Sequence, residues 1–488
     1  MRASSLLIDA LAMACGVAAA GCSATTTDYA SCDLNSQCRD RFGFGWVCAD
    51  SGFCEAAPRL NRCASSFPED LFFDPQAHID TVVFGNIMDR SLATHRAREK
   101  AARLAIKQAD DEGGLSLRDF GSVFCTIEED PEFDQLTRPE AAVAVADYLV
   151  NTLGVPAVIG PAASDDVNTV FNQINGAGAE ALFISPSATS PALTALDPAT
   201  VDDDHPGLFW RTAPPDSLQG AAIAYDMREP GAGRPQKVSN VAVIYQTGSY
   251  GEALSAVFSQ EFQKAGGDLP ALFSYETDGQ RSEAIGQVAM GSFEEVLFVS
   301  SQTQQVIEFL DAAATLTGYD GMGIFLSDAA ANQDLTMQAD PTRFPQVRGT
   351  RQAPLDSDQD LVYAAFLAAY SSEYGEDARK FSFTANSYDA AWLLVYGSAW
   401  GLLQDGSISG MNIAKGLRRV SSGDTIGILP TTWNQVREKF QRGESINVEG
   451  ASGHLDYDPV TEETSGKIET WQIVSGQIVG IDTWPPGQ

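Results

Sequence analysis

From about residue 78 onward, short apolar runs alternate with longer stretches in which apolar positions recur three and four residues apart. The short runs read as strands and the longer ones as amphipathic helices. Residues 80–84 predict a first strand, with a helical stretch over 97–109 behind it. A second strand is expected at 122–126. The next helix opens on Thr137-Arg138-Pro139-Glu140, which has capping-box spacing and a proline in its first turn. Strand 157–159, helix 165–175 and strand 181–184 continue the series. Such near-continuous apolar strands, alternating with helices, imply parallel sheets covered on both faces.

The pattern breaks at Asp202-Asp-Asp204 and Pro206, and Phe209 to Asp216 reads as an extended connector. A second run of the same kind follows. Strand 241–245 leads into a helix over 250–265 that Gly266-Gly267 stops, and further strands are expected at 272–275, 296–299 and 323–326. Two similar α/β units joined by a connector bring two strand-end edges face to face, and ligands of open α/β sheets bind at such edges.

The first 22 residues are a different material. Arg2 precedes a short, mostly apolar and small-residue stretch that ends Val17-Ala-Ala-Ala-Gly-Cys22. It is too short to span a membrane and resembles a bacterial lipoprotein signal, residues 1–21, with Cys22 as the lipid attachment site. Ser23 resembles the residue that sorts such proteins to the outer membrane. Export predicts an oxidising surrounding, and six cysteines remain as disulfide candidates: Cys32, Cys38, Cys48, Cys54, Cys63 and Cys125. Four of them crowd a cysteine-rich segment over 22–65 that holds too little apolar surface to fold unaided. Sequence does not choose the pairing. Zinc is the rival reading, although the five-residue gaps exceed common ligand spacing.

With 31 basic and 65 acidic residues, the formal charge is −34, which excludes nucleic acid as a partner and reads as a solubilising surface. The length of 488 residues accommodates two or three domains. Catalytic patterns are lacking. Four scattered histidines (His78, His95, His205, His454) show no metal-ligand spacing. Thr247-Gly-Ser-Tyr-Gly251 misses the first glycine of a nucleophile elbow. Gly176-Ala-Gly-Ala-Glu-Ala181 precedes a strand, so its glycines end a helix and cradle no phosphate. No enzyme, cofactor or metal is expected.

Several segments, in order, carry a resemblance: Val158-Ile-Gly-Pro-Ala-Ala-Ser164, Ile184-Ser-Pro-Ser-Ala-Thr189, Arg211-Thr-Ala213, Tyr250-Gly-Glu252, Phe325-Leu-Ser-Asp328, Ser387-Tyr-Asp-Ala-Ala-Trp392 and Gly453-His-Leu-Asp-Tyr-Asp458. Over about 80–480 the chain resembles type I periplasmic solute-binding proteins of the leucine/isoleucine/valine class. The resemblance implies two Rossmann-like α/β lobes joined by three hinge crossovers, near 209–216, 347–354 and 452–459. Lobe 1 would take 78–210 and 352–452, and lobe 2 would take 216–348 and 460–484.

The resemblance also implies a ligand set. Ser164 and Thr189 would hold a ligand carboxylate, Ser187 would offer a carbonyl to an ammonium with Ala188 in the same loop, and Tyr250 would close over the ligand. Asp328 would pair with the ammonium, and Gln302 stands where an aromatic is usual. The first loop, 86–94, offers Met88, Arg90 and Thr94 with His95 beyond, and no aromatic wall, so that a more polar ligand, an amide or a small peptide could also fit. The implied function is capture of a small amino-acid-like solute outside the cytoplasm, at the periplasm-facing envelope, and delivery to an inner-membrane ABC permease. A ligand-sensing receptor and a scaffold lipoprotein are the alternatives.

Overall fold

The computed structural model describes residues 30–130, 134–197, 201–229, 236–355 and 360–485. The expected signal and Cys22 lie outside the described residues. Two sheets organise the rest. In the first, the strands run in the order Ser65–Phe67, Phe120–Thr126, Val82–Met88, Ala157–Ile159, Leu182–Ser185 and Phe209–Arg211. The last five are parallel. Every residue of Val82–Met88 and Phe120–Thr126 is buried, because helices cover both faces. One face rests on Ala93–Asp111 and on Thr384–Trp400, a helix buried along almost its whole length.

The second sheet runs Ala271–Tyr275, Val241–Gln246, Glu295–Val299, Gly323–Leu326, Val347–Gln352, Ile468–Val474, Gln477–Trp484. Its first five strands are parallel and its last two form an antiparallel hairpin. The chain passes between the sheets three times: after Phe209–Arg211, after Val347–Gln352 and ahead of Ile468–Val474. A short sheet of Asp424–Gly427, Ile446–Gly450 and Gly453–His454 packs into the first lobe's core. This is the two-lobed architecture expected from the sequence.

Three details depart from the reading of the sequence. Phe209–Arg211 is the sixth strand of the first sheet, not loose connector, and the turn comes at Pro214-Pro215 before helix Asp216–Arg228. Both sheets carry antiparallel margins. The cysteine-rich segment is also continuous with the first lobe: Ser65–Phe67 pairs with Phe120–Thr126, and Cys63 is bonded to Cys125. The remaining bridges are Cys32–Cys48 and Cys38–Cys54, which engage the sulfurs that a zinc ion would need. Further contacts seat the segment. Arg62 is 1 % exposed, pairs with Asp134 at 2.5 Å and donates to the carbonyls of Thr126 and Glu128. Arg39 donates to the Leu153 carbonyl.

Candidate functional site

The carboxyl ends of both sheets' strands face one cavity of about 310 Å³, within the range of small-molecule sites. Each wall residue sits where a strand hands over to a helix. Asp89 follows Val82–Met88, and Ser164 opens Ser164–Ile174 beyond Ala157–Ile159. Ser187 and Thr189 follow Leu182–Ser185. From the second lobe, Tyr250 lies in the first turn of Ser249–Lys264, Gln302 precedes Thr303–Thr315, and Asp328 follows Gly323–Leu326. Of the residues expected from the sequence, Ser164, Ser187, Thr189, Tyr250, Gln302 and Asp328 all line this cavity. Ala188 does not: it is fully buried beneath the wall, its N–H donating to Ser185 Oγ and its carbonyl accepting from Arg211.

The hydrogen bonds are specific. Tyr250 Oη donates to Asp328 Oδ1 at 2.5 Å. Burial drives the Tyr250 phenol well up, so it keeps the proton it donates, and burial also raises Asp328. Thr189 Oγ1 donates to Asp216 Oδ2 at 2.9 Å, and Asp216, fully enclosed, is pushed well above the usual carboxylate range by burial and by Asp328. Ser164 Oγ accepts from the Ser190 N–H at 3.2 Å. Ser187 Oγ donates to the Ala162 carbonyl at 2.8 Å.

Three wall residues, Arg98, Phe383 and Arg138, were not singled out from the sequence, whereas His95 beside them was. Arg98 projects from Ala93–Asp111 and donates to Ser382 O, Ser187 Oγ and Ser382 Oγ at 3.0, 3.0 and 3.1 Å. Its guanidinium lies 5.2 Å from the Phe383 ring centroid. Phe383 supplies the aromatic wall that the first loop lacks, and it does so from a left-handed backbone (φ 61°) just ahead of Thr384–Trp400. A bulky non-glycine residue is uncommon in that conformation, although Ser116, Leu117, Glu462 and Ser475 adopt it away from the cleft. Arg138 bridges Asp89 and Asp166. His95 is held neutral, well below its ordinary value, by burial and then by Arg98 and Arg138; its Nδ1 accepts from the Asp89 N–H at 3.1 Å. Arg98 was legible in principle, since a charge at the i+4 position from Thr94 sits on a face that continues through Ala101 and Ala105 into the core.

Of the four residues named at the first loop from the sequence, Thr94 and His95 reach the cavity, beside Asp89, Ser91 and Leu92. Met88 is in the core and Arg90 pairs with Glu99 at 3.0 Å. The second lobe's share of the wall is amide- and hydroxyl-rich: Gln302, Thr303, Gln304 and Asn332.

A family model described as periplasmic binding protein matches residues 91–442. The chain belongs to the periplasmic binding protein family. Within it, the chain is similar to the chemotactic signal transduction system substrate-binding protein BasB of Halobacterium salinarum, 25% identical over 376 residues that cover 76% of this chain and 80% of that protein. It is also similar to the Leu/Ile/Val-binding protein of Citrobacter freundii, 30% identical over 150 residues, or 31% of this chain and 36% of that one. Among solved structures, the leucine-binding protein LivK of Thermotoga maritima superposes with a TM-score of 0.64 at 17% identity, covering 82% of this chain and 98% of that one. LivJ of Streptococcus pneumoniae, solved with isoleucine, gives 0.61 at 18% identity over 82% and 99%. These superpositions establish the two-lobed type I periplasmic binding fold. The cysteine-rich segment, up to Cys63, precedes the stretch that the family model matches.

Proposed function

We propose that the chain captures a small, polar, amino-acid-like solute in the interlobe cleft outside the cytoplasm and delivers it to an ABC-type permease of the inner membrane, acting as a binding protein and not as an enzyme. Closure of two lobes over a solute is a hinge motion of a familiar kind. The observation that carries this reading is the Tyr250–Asp328 pair, which holds a buried carboxylate at the mouth of the second lobe, opposite the helix N-terminus at Ser164. An ammonium suits the first and an anion the second. The polar wall of Gln302, Thr303, Gln304 and Asn332 argues against a leucine-like side chain. Attachment to the envelope through a lipid on Cys22 belongs to the same proposal, with residues 1–21 as its signal.

Similarity to BasB supports a second reading, in which the same closure is read by a chemosensory partner. The test is a thermal-shift and calorimetric screen of the purified chain against the twenty L-amino acids, with Asp328→Asn as control. A bound solute raises the melting temperature by mass action. Saturable binding of an amino acid, lost in the variant, supports capture. Silence across the panel overturns it. Transport and sensing then separate on whether loss of the chain abolishes solute uptake or only taxis towards the same solute.

A further inference from the structure

Hydroxyl protons decide how this cleft recognises a carboxylate. A serine or threonine has one hydrogen to give. Thr189 gives its hydrogen to Asp216, and Ser187 gives its hydrogen to the Ala162 carbonyl. Neither hydroxyl therefore has a proton for a ligand carboxylate. Donors that remain on this wall include the hydroxyl hydrogens of Ser164 and Thr94, the Thr189 N–H, the first-turn amides of the Ser164 helix, and Arg98, the one full positive charge among them.

Arg98 is built for more than packing. It is 6 % exposed and lines the cleft, yet its three hydrogen bonds go to neutral oxygens, two on Ser382 and one on Ser187. A guanidinium has five N–H groups, so two are left. Several other buried arginines meet carboxylates: Arg62 with Asp134, Arg211 with Glu463 and Arg343 with Asp320, as does the half-buried Arg138 of the cleft with Asp89 and Asp166. Buried Arg228, away from the cleft, instead spends its N–H groups on four neutral oxygens, whereas Arg98 makes three such bonds and faces the cavity. Arg98 forms no ion pair among the described residues. Burial lowers its pKa to about 10, with Asp328 acting in the opposite direction. A buried guanidinium lacking a carboxylate is costly unless something anionic completes it.

The geometry around it is ordered. Ser187 Oγ accepts from Arg98 while donating to Ala162, so it fixes the guanidinium next to the turn that leads to Ser164. The Phe383 ring covers one face. The carbonyl and hydroxyl of Ser382 hold the far side.

We propose that Arg98 is the carboxylate-receiving residue of the cleft, and that the ligand is a small zwitterion bridging Arg98 on the first lobe and the Asp328–Tyr250 pair on the second. This rests on the solute-capture reading and adds the residue that selects the acid. Arg98 and Asp328 are opposite charges on opposite walls, close enough to influence one another without forming an ion pair. A zwitterion inserted between them completes both and links the lobes in the closed state. The planar fork of arginine, with two free N–H groups, matches a carboxylate and rejects a carboxamide, whose NH₂ would face N–H. Ser187 is a positioning residue in this scheme.

The experiment compares each L-amino acid that binds with its own carboxamide (for glutamine, glutamine amide) by calorimetry on wild type, Arg98→Gln, Arg98→Lys and Ser187→Ala. Wild type is expected to prefer the acid by at least about 30-fold. In Arg98→Gln that preference should collapse to within about threefold, with Arg98→Lys between the two and Ser187→Ala losing only part. A fold that is merely damaged weakens acid and amide alike, so the ratio isolates recognition. An unchanged acid/amide ratio in Arg98→Gln overturns the proposal and leaves solute capture standing. Parallel loss of acid and amide overturns it too, as a structural role. Absence of binding by any amino acid to wild type overturns both readings.

Discussion

Asp165, on the first helix residue after Ser164, accepts two hydrogen bonds from Ser249 of the opposite lobe, from its N–H at 2.5 Å and its hydroxyl at 2.8 Å. The carboxylate thus caps a helix belonging to the other lobe, Ser249–Lys264, and the macrodipole strengthens the contact. Ser190 Oγ reinforces it by donating to the Ser249 carbonyl. Gly248 makes room: its φ is 126°, and a Cβ there would lie 2.6 Å from the Asp165 carboxylate. Because it joins the two lobes, this latch is expected to favour the arrangement in which they meet. Asp165→Ala is expected to cost the closed state about 1 kcal/mol, read as about fivefold weaker binding. Small-angle scattering of the ligand-free chain should show a larger radius of gyration. Gly248→Ala should behave alike, and unchanged affinity in both would dismiss the latch.

Asp328 must be ionised to hold an ammonium, and burial has raised its pKa. Protonation therefore begins at a higher pH than for an ordinary carboxylate. Affinity should fall as the pH is lowered, starting above that ordinary range. Asp328→Asn should weaken binding by about 100-fold at neutral pH and flatten the profile. Calorimetric titrations at a series of pH values check both.

Three carboxylates away from the cleft set a pH dependence of stability. Burial lifts Asp389 to about 7, Asp110 to about 7 and Asp197 to about 6. Raised folded values mean that the native state binds more protons than the unfolded chain between about pH 4 and the folded pKa, so stability falls as pH rises through that window. The net charge of −34 acts in the same direction. Below about pH 4 the depressed carboxylates, such as Glu444 at about 2 beside Arg442 and Lys439, lose their ionic hydrogen bonds instead. The melting temperature should therefore peak near pH 5 and decline towards pH 8. A flat profile across that range would contradict these environments.

The Cys63–Cys125 bridge closes a loop of 62 residues, against 16 for each of the others. Chain-entropy arguments give it the largest stabilisation, about 4 kcal/mol against about 3. The double variant Cys63→Ala/Cys125→Ala should melt several degrees lower in scanning calorimetry while keeping its solute affinity within about twofold, because no bridge residue touches the cleft. A large loss of affinity would instead tie the bridge to the site.

The sequence carried the strands well where burial on both faces writes an unbroken apolar run, as at 157–159 and 323–326, and it carried the Thr137/Glu140 cap, whose side chains meet as the spacing implies. Phe209–Arg211 escaped because three residues ending in arginine, ahead of two prolines, read as connector; only the neighbouring strand Leu182–Ser185 makes them sheet. Six of the seven expected ligand residues reach the cavity because each follows a strand end, a position fixed by topology. Arg98 and Phe383 escaped for the opposite reason. They lie almost 290 residues apart and meet only once Thr384–Trp400 packs on Ala93–Asp111, a contact that no local spacing announces.

Among the described residues, the bridge from Cys63 to Cys125 and the strand Ser65–Phe67 weld the cysteine-rich segment to the first lobe. A tether on this segment would therefore bear on the first lobe, and the lobe carrying Tyr250 and Asp328 would be the one free to swing. The chain thus resembles a gate hung from one post: were the segment tethered, the first lobe would keep its bearing and closure over a solute would be the movement of the other leaf.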